Sequence, residues 1–176
     1  LKVVVHVADV LEESGLGQGQ FAFGMRGTQL ASAALSLDDV FVLQTAASNL
    51  LQLLERVDRG LRYSGPALFS VYAAPEGGAL PPYLQAATAM QSRAFPAFSY
   101  DPGAGTDLAA RFSLENNPQP ELDWPVERLD YADQDLQAVS EEVAFTFADF
   151  ALCDSRCAGH FEPVPRSIWG EGMLKA

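Results

Sequence analysis

The feature that most constrains the fold of this chain is a set of short apolar runs separated by segments with helical spacing. The runs are Lys2–Val7, residues 40–44 and Ala67–Tyr72, and a shorter β-like segment follows at residues 97–100. Short runs rich in Val and Leu are typical of strands that are covered on both faces of a sheet. We therefore predict buried strands at these places.

The segments between the runs carry helix signals. Residues 28–37 are rich in Ala and Leu and begin at Thr28, and two prolines open a similar segment at residues 81–94. Between them, a helix is predicted to begin at Ser48 or Asn49. Its apolar residues recur every three or four positions and predict a buried stripe of Leu50, Leu53, Leu54, Val57 and Leu61. The alternation predicts an α/β fold in three layers, with a mostly parallel sheet and helices on both faces.

The C-terminal part has a different pattern. Residues 101–130 are rich in Gly, Pro, Asn and Asp, and a loop of this length is usually functional or packed against a neighbour. Residues 133–157 are predicted to form one long helix with a buried stripe of Leu136, Val139, Val143, Phe147 and Phe150. The expected organisation is an α/β core over residues 1–130, with a C-terminal helix and tail at 131–176 packed on the same domain.

Charge and composition exclude several classes of protein. The 176 residues include 11 Lys and Arg against 23 Asp and Glu, a formal net charge of −12. Such a surface repels phosphate backbones, so we do not expect nucleic acid as a partner. No apolar run approaches the roughly 20 residues that span a bilayer, and the apolar start lacks the basic leader of a signal sequence. We expect no membrane partner.

The start of the chain and its cysteine content bear on origin and location. The missing initiator Met suggests a piece of a longer protein. Two cysteines give no disulfide framework, and a reducing, cytoplasmic location is the default expectation.

Cys153, Cys157 and His160 have a spacing that invites a metal-site interpretation. On a helix they would share one face, but that face continues the stripe from Phe150 towards Phe161. Buried free cysteine behaves as a small hydrophobic residue, and a structural zinc site normally needs four ligands. We therefore favour two core thiols over a metal site or a disulfide.

Other candidate residues also have plain structural explanations. The Gly-rich residues 14–20 could bind phosphate through backbone amides, but they lack the dinucleotide fingerprint, and a simple connection is favoured. His6 lies within the first strand with no nearby nucleophile and is interpreted as a core or edge histidine. Arg93 and Arg111 flank the long loop and could bind an anion, although surface ion pairs are favoured. We recognise no catalytic motif in the chain.

Two stretches carry a family resemblance. Residues 38–73, DDVFVLQTAASNLLQLLERVDRGLRYSGPALFSVYA, and residues 95–116, FPAFSYDPGAGTDLAARFSLEN, resemble the pyruvate:ferredoxin (2-oxoacid:ferredoxin) oxidoreductases. The similar region is the C-terminal part of their thiamine-diphosphate-binding domain. The elements of that family begin with a strand, which is followed by a helix capped near a Ser, a Gly-Pro and a second strand. A crossover helix and a strand ending in Tyr-Asp-Pro come next, and this order holds from about Val3 to Phe150.

The resemblance also identifies a cofactor loop. The family binds magnesium and diphosphate with an Asp-Thr-Glu-Val-Tyr-Ser-Asn-Thr-Gly-Gly-Gln pattern after a strand. Aligned on that pattern, the cofactor-binding positions of a diverged diphosphate loop are Asp9, Ser14, Gly15 and Gly17.

The changes within this loop remove metal ligands. Val10 replaces the Thr that supplies a metal-binding oxygen, Gly15 replaces the Asn and Leu16 replaces the second Thr. Magnesium requires oxygen ligands. The family's Gly-Asp-Gly metal motif would lie upstream of Leu1. We therefore expect that this chain alone binds neither thiamine diphosphate nor magnesium, and we assign no catalytic or metal-binding residue.

Three functional interpretations follow. The first is a fragment or domain of a 2-oxoacid:ferredoxin oxidoreductase-like protein, inactive alone, whose partners are other domains or subunits, including a second copy in a homodimer. The intact family enzymes decarboxylate a 2-oxoacid on thiamine, pass electrons through iron–sulfur clusters and release an acyl-CoA. The second is a non-catalytic α/β binding or assembly module with a diverged cofactor loop. The third is an unrelated doubly wound domain that binds a nucleotide at the carboxyl ends of its strands.

Overall fold

The computed structural model describes residues 1–11, 27–76, 80–133 and 135–168. The strands are β1 (Lys2–Val7), β2 (Phe41–Ala46), β3 (Ala67–Tyr72), β4 (Phe98–Tyr100), β5 (Phe112–Ser113), β6 (Val126–Ala132) and β7 (Ala138–Ala144). The α-helices are α1 (Leu30–Leu35), α2 (Leu54–Arg62), α3 (Pro82–Gln91), α4 (Leu108–Arg111), α5 (Phe147–Leu152) and α6 (Ser155–Ala158). Short 3₁₀ helices span Gly27–Gln29, Ala47–Leu53 and Arg166–Ile168.

The main sheet is mixed and has five strands in the order β1-β3-β2-β4-β5. Strands β1, β3 and β2 are parallel, as predicted, but β4 runs antiparallel to β2, and β5 runs antiparallel to β4. The antiparallel direction of β4 follows from the path of the chain before it. Phe95 and Ala97 pack with the last residues of β1–β3, so the chain enters β4 from the carboxyl end of the parallel strands. The fold class is thus α/β, with an antiparallel edge on a parallel centre.

Alternate residues of the sheet pack into different apolar clusters. Phe41, Leu43 and Phe69 contact Leu53 and Val57 from the segment that contains α2. The alternate positions, among them Val42, Phe98 and Tyr100, pack with Ala31 and Ala34 of α1. Because successive side chains of a strand point to opposite faces, α1 and α2 cover opposite faces of the sheet.

Among the described strands, β1 lies at an edge of the sheet, and the prediction that both of its faces are covered is wrong. Val7 is its only buried residue, whereas the Val4 side chain is 71% exposed. Lys2 fixes the start of the strand by donating hydrogen bonds to the carbonyls of Tyr63 and Gly65. An edge position leaves one side of the strand without a neighbour, and a Val run alone does not reveal it.

The stripe predicted on α2 is only partly right. Leu53 is buried and Val57 packs beside it, but Leu54 and Leu61 are 60% and 54% exposed. Ala47–Leu53 is a 3₁₀ helix, which has fewer residues per turn than an α-helix. The apolar side chains therefore point in other directions than α-helical spacing predicts. Gly60 lies against the sheet instead, where a Cβ atom would come within 2.5 Å of the Phe41 ring.

The long C-terminal helix predicted over residues 133–157 is wrong. The chain forms the antiparallel β6–β7 hairpin and then the short helices α5 and α6. The Asp133 carboxylate accepts hydrogen bonds from the N–H groups of Asp135 and Gln137, which favours a turn over a helix. Leu136, predicted to be buried, lies at this turn with a φ of 59° and is 84% exposed.

Helix α5 begins where the sequence has a capping box. The backbone N–H and the hydroxyl of Thr146 both donate to the Asp149 carboxylate. Phe150 on this helix is buried, as predicted. Within the described ranges, no helix has the length and apolar character needed to cross a membrane.

Candidate functional site

The carboxyl ends of the parallel strands are the first place to look for a site, because open α/β sheets bind ligands in the crevice there. In this chain the last residues of β1, β2 and β3 are Val7, Ala46 and Tyr72. All three are buried in one apolar cluster with Phe150 of α5, which is 3% exposed. We call this set the carboxyl-end cluster. The C-terminal segment of the chain thus packs where a ligand would enter.

Helix α3 and the turn after it complete the carboxyl-end cluster. The further members are Ala86, Ala89, Met90, Phe95 and Ala97. The rings of Tyr72 and Phe95 pack in a tilted arrangement with their centroids 5.8 Å apart. Among the described residues, the members of this cluster are apolar or aromatic, unlike the convergent polar groups that orient a small ligand.

Asp9 lies directly beyond β1 and is held in an ion pair. Its carboxylate accepts hydrogen bonds from Nη1 and Nη2 of Arg156 at 2.5 and 2.8 Å, and from the N–H of Leu11 at 3.0 Å. The same guanidinium donates to Asp154 at the start of α6. This Asp9–Arg156–Asp154 network attaches α6 to the residues that follow β1.

The network perturbs the titration of its members. Hydrogen bonds to Asp9 and Asp154 raise the pKa of Arg156, and the guanidinium lowers the pKa of Asp154. Burial, reinforced by the nearby Asp9 and Asp154 carboxylates, raises the pKa of Tyr72 to about 12. Two carboxylates around one guanidinium leave a net negative charge at this edge, which opposes the binding of an anionic diphosphate.

The described part of the predicted cofactor loop does not fit a magnesium diphosphate. Asp9 is occupied by Arg156, and Val10 packs against the carboxyl-end cluster with no oxygen to offer a cation. The other predicted positions, Ser14, Gly15 and Gly17, lie outside the described residues, as does the whole Gly-rich segment at residues 14–20. Among the residues that the structure describes, no group of three or more His, Cys, Asp and Glu side chains is placed to hold a metal ion.

The two thiols do not share one helix. Helix α5 ends at Leu152, Cys153 follows it directly, and Cys157 lies on α6, which begins at Ser155, so the predicted continuous stripe is wrong. Both cysteines are free and half-buried. Burial and the charge of Asp149 raise the pKa of Cys153, which disfavours its thiolate. Inert packing therefore describes Cys153 better than nucleophilic chemistry does.

The two arginines that flank the long loop bind the chain itself. Nη2 of Arg93 donates to the carbonyls of Pro118, Gln119 and Leu122, in place of the predicted surface ion pair. Arg111 donates to the carbonyl of Gly105 and lies 3.9 Å from the Asp38 carboxylate. Both side chains therefore fasten backbone or loop, and the predicted ion pair is confirmed for Arg111.

Asn117 is a buried anchor of this loop that the sequence did not single out. Its amide donates to the carbonyl of Ala97 and accepts from the N–H of the same residue. It therefore substitutes for a neighbouring strand just before β4. His6, by contrast, is an exposed residue on the edge strand, which is one of the two predicted alternatives. Its Nε2 lies 3.0 Å from the carbonyl oxygen of Ala73.

Arg156 is a residue of the candidate site that sequence reasoning missed. Its partner Asp9 lies 147 positions earlier in the chain, and no local motif connects the two. A search of protein-family models and of curated proteins finds no match to this chain.

Proposed function

We propose that this chain is a non-catalytic α/β domain of a 2-oxoacid:ferredoxin oxidoreductase-like protein, in which it supplies scaffold and interface. The observation that carries the non-catalytic part is the burial of Phe150 among Val7, Ala46 and Tyr72. In an open α/β sheet this is where a cofactor would lie. An aromatic side chain of the same chain fills the position instead.

The resemblance supplies the family part of the proposal. The stretches at residues 38–73 and 95–116 resemble the thiamine-diphosphate-binding domain of those enzymes, and the three parallel strands agree with that resemblance. A fuller three-layer, thiamine-type arrangement and a cytoplasmic location belong to the same proposal. The partners it implies are other domains or subunits, including a second copy of the chain.

Strand β1 gives the interface part a physical basis. Within the described residues the strand has a neighbour on one side only, and Val4 is exposed on the face that α2 covers further along the sheet. Unpaired backbone groups on a Val-rich edge favour the addition of another strand. A continuation of the sheet by another segment or subunit would cover this edge.

A ligand titration tests the non-catalytic part. We expect that thiamine diphosphate with magnesium does not change the melting temperature of the purified chain, because Asp9 is paired and the carboxyl-end cluster is filled. A ligand present at a hundred times its Kd would stabilise the fold by about 2.7 kcal/mol, so binding would be readily detected. A clear rise in melting temperature contradicts the proposal.

Two variants sharpen this titration. Arg156→Ala releases Asp9 without adding a metal ligand, and the double variant Val10→Thr/Arg156→Ala also restores an oxygen at the position of the family's Thr. If Phe150 fills the site, neither variant binds the cofactor. Arg62→Ala, which removes an exposed pair with Asp58, is the matched control for a lost arginine.

The family part has its own test. Sequencing the gene upstream of Leu1 would support it by revealing a Gly-Asp-Gly motif and cysteine-rich cluster motifs. Their absence would favour the alternative, a free-standing α/β assembly module with a diverged loop. A measured solution mass that stays monomeric at all concentrations would count against the homodimer.

A further inference from the structure

The β6–β7 hairpin forms a sheet of its own. Its seven-residue strands pair along their whole length, from Val126 opposite Ala144 to Ala132 opposite Ala138, and they are separate from the five-stranded sheet. A two-stranded hairpin by itself is at best marginally stable in water, and packing of one face against another element stabilises it. The hairpin is therefore an element that would gain from a partner.

One face of the hairpin carries most of its large apolar side chains. The cross-strand pairs on this face are Glu127 with Val143, Leu129 with Glu141, and Tyr131 with Val139. Leu129 is 52% exposed, and the other three apolar residues are half-buried. We call Leu129, Tyr131, Val139 and Val143 the apolar stripe.

The surroundings of the apolar stripe are strongly acidic. Between Glu121 and Glu142 the sequence has eight Asp and Glu residues and one basic residue, Arg128. That arginine is already engaged, because its Nε donates to Asp130 at 3.1 Å and to the Ser140 hydroxyl at 2.7 Å. About a third of the chain's acidic residues thus lie in and beside the hairpin, where Glu127 and Asp130 are exposed.

The negative charge around the apolar stripe distinguishes between the partners that could cover it. A second copy that docked hairpin to hairpin would bring two acidic surfaces together, and like charges placed opposite each other destabilise a pairing. A basic surface would be attracted, and apolar side chains interleaved with its cations would cover Leu129 and its neighbours. The stripe would supply affinity by burial, and the carboxylates would supply orientation and a faster encounter.

We propose that the apolar stripe of the β6–β7 hairpin is the docking surface for a different polypeptide whose contacting face carries Lys or Arg side chains next to apolar ones. The hairpin's register places carboxylates beside apolar residues on one face, at every second position of each strand. An extended partner matches this face when basic and apolar side chains occupy its own every second position in turn. The proposal does not depend on the oxidoreductase resemblance or on cofactor binding.

A labelled peptide with the repeat Lys-Ser-Val-Ser is the probe, because an extended chain then presents lysine and valine in turn on one face. An otherwise identical peptide with glutamate in place of lysine is its control. Fluorescence anisotropy at physiological ionic strength measures binding to the whole chain. We expect the lysine peptide to bind and the glutamate peptide not to bind. No binding of either peptide overturns the proposal.

Paired variants separate the stripe from the general negative charge. Leu129→Ser and Glu127→Lys should each weaken binding about tenfold or more, which corresponds to roughly 1.4 kcal/mol. Leu61→Ser, on the exposed side of α2, and Glu162→Lys, an exposed acid outside the hairpin, are matched controls and should leave the affinity nearly unchanged. Circular dichroism checks that all four variants remain folded.

The outcomes that contradict the proposal are distinct. Equal losses in Glu127→Lys and Glu162→Lys would show that the peptide senses only net charge. Self-association of the chain that disappears in Leu129→Ser would show that a second copy, not a basic partner, covers the stripe.

Discussion

The carboxyl end of the main sheet and the β6–β7 hairpin both combine apolar and acidic side chains. These side chains are buried or paired at the sheet end, and they are exposed on the hairpin. At the carboxyl end, Phe150 is buried and Asp9 is paired with Arg156. On the hairpin, Leu129 is exposed and Glu127 lies beside it on an open strand. Phe150 of the chain's own C-terminal segment lies at the usual ligand site of an α/β sheet, whereas the docking surface that we propose lies on the hairpin.

The largest expected effect tests the closed end. Phe150→Ala removes a buried aromatic ring from the carboxyl-end cluster and should lower the free energy of unfolding by about 3–5 kcal/mol. Leu129→Ala on the hairpin should change it by no more than about 0.5 kcal/mol, as for an exposed residue. Urea unfolding of both variants measures the contrast. Equal effects would show that the two regions do not differ in packing.

The second prediction concerns packing beneath α2. Gly60→Ala would place a Cβ atom 2.5 Å from Cε1 of Phe41 and 2.9 Å from Cζ of Phe69. The overpacking should cost about 1–3 kcal/mol and outweigh the gain of about 1 kcal/mol in helix propensity. Gly159→Ala is the control, because apart from the residue itself and its chain neighbours no described atom lies within 4 Å of its Cβ position. A stabilised Gly60→Ala variant in thermal unfolding would contradict this packing.

The third prediction concerns the ion pair that joins the closed end to α6. Arg156→Gln should destabilise the chain by about 1 kcal/mol, since the guanidinium makes two bonds to Asp9 and others to Asp154 while remaining partly exposed. The difference should shrink as salt is added, because ions screen the charges. Arg62→Gln, which breaks a more exposed pair with Asp58, should cost less at every salt concentration. If the two variants behave alike, the network does not fasten α6.

The smallest effect appears only at alkaline pH. The pKa of Tyr72 is raised from 10.0 to about 12 in the folded chain, so the folded state keeps the phenol proton after the unfolded state has lost it. The resulting stability is fully present below about pH 10 and is lost as the pH rises towards 12. Tyr72→Phe should therefore unfold with a shallower dependence on pH over this window. An unchanged pH dependence in alkaline titrations followed by circular dichroism would contradict the burial of this hydroxyl.

Sequence reasoning found the parts of the fold that local patterns determine. The bounds of β1 and β3 agree with the predicted runs, and the two prolines correctly mark the start of α3. The edge position of β1 was missed, because burial of a strand depends on its neighbours in the sheet. The direction of β4 was also missed, because a three-residue strand carries no signal of its orientation.

The hairpin was missed because its apolar residues fit two periods. Leu136, Val139 and Val143 follow helical spacing, yet Val139 and Val143 also share one face of a strand with Glu141 between them. The turn around Asp133 decides in favour of the strand. The Asp9–Arg156 pair of the candidate site was out of reach for a different reason, as contacts between distant positions have no local pattern.

The separation of 147 positions between Asp9 and Arg156 has a consequence for biosynthesis. Phe150 and Arg156 are made long after β1, so a ribosome adding about 5–20 residues per second leaves Val7 and its neighbours uncovered for several seconds. Closing a loop of 147 positions also costs conformational entropy in the last folding step. The nascent chain therefore lacks the Phe150 side chain on the apolar sheet end, and the ion pair of Asp9, until translation has passed α5.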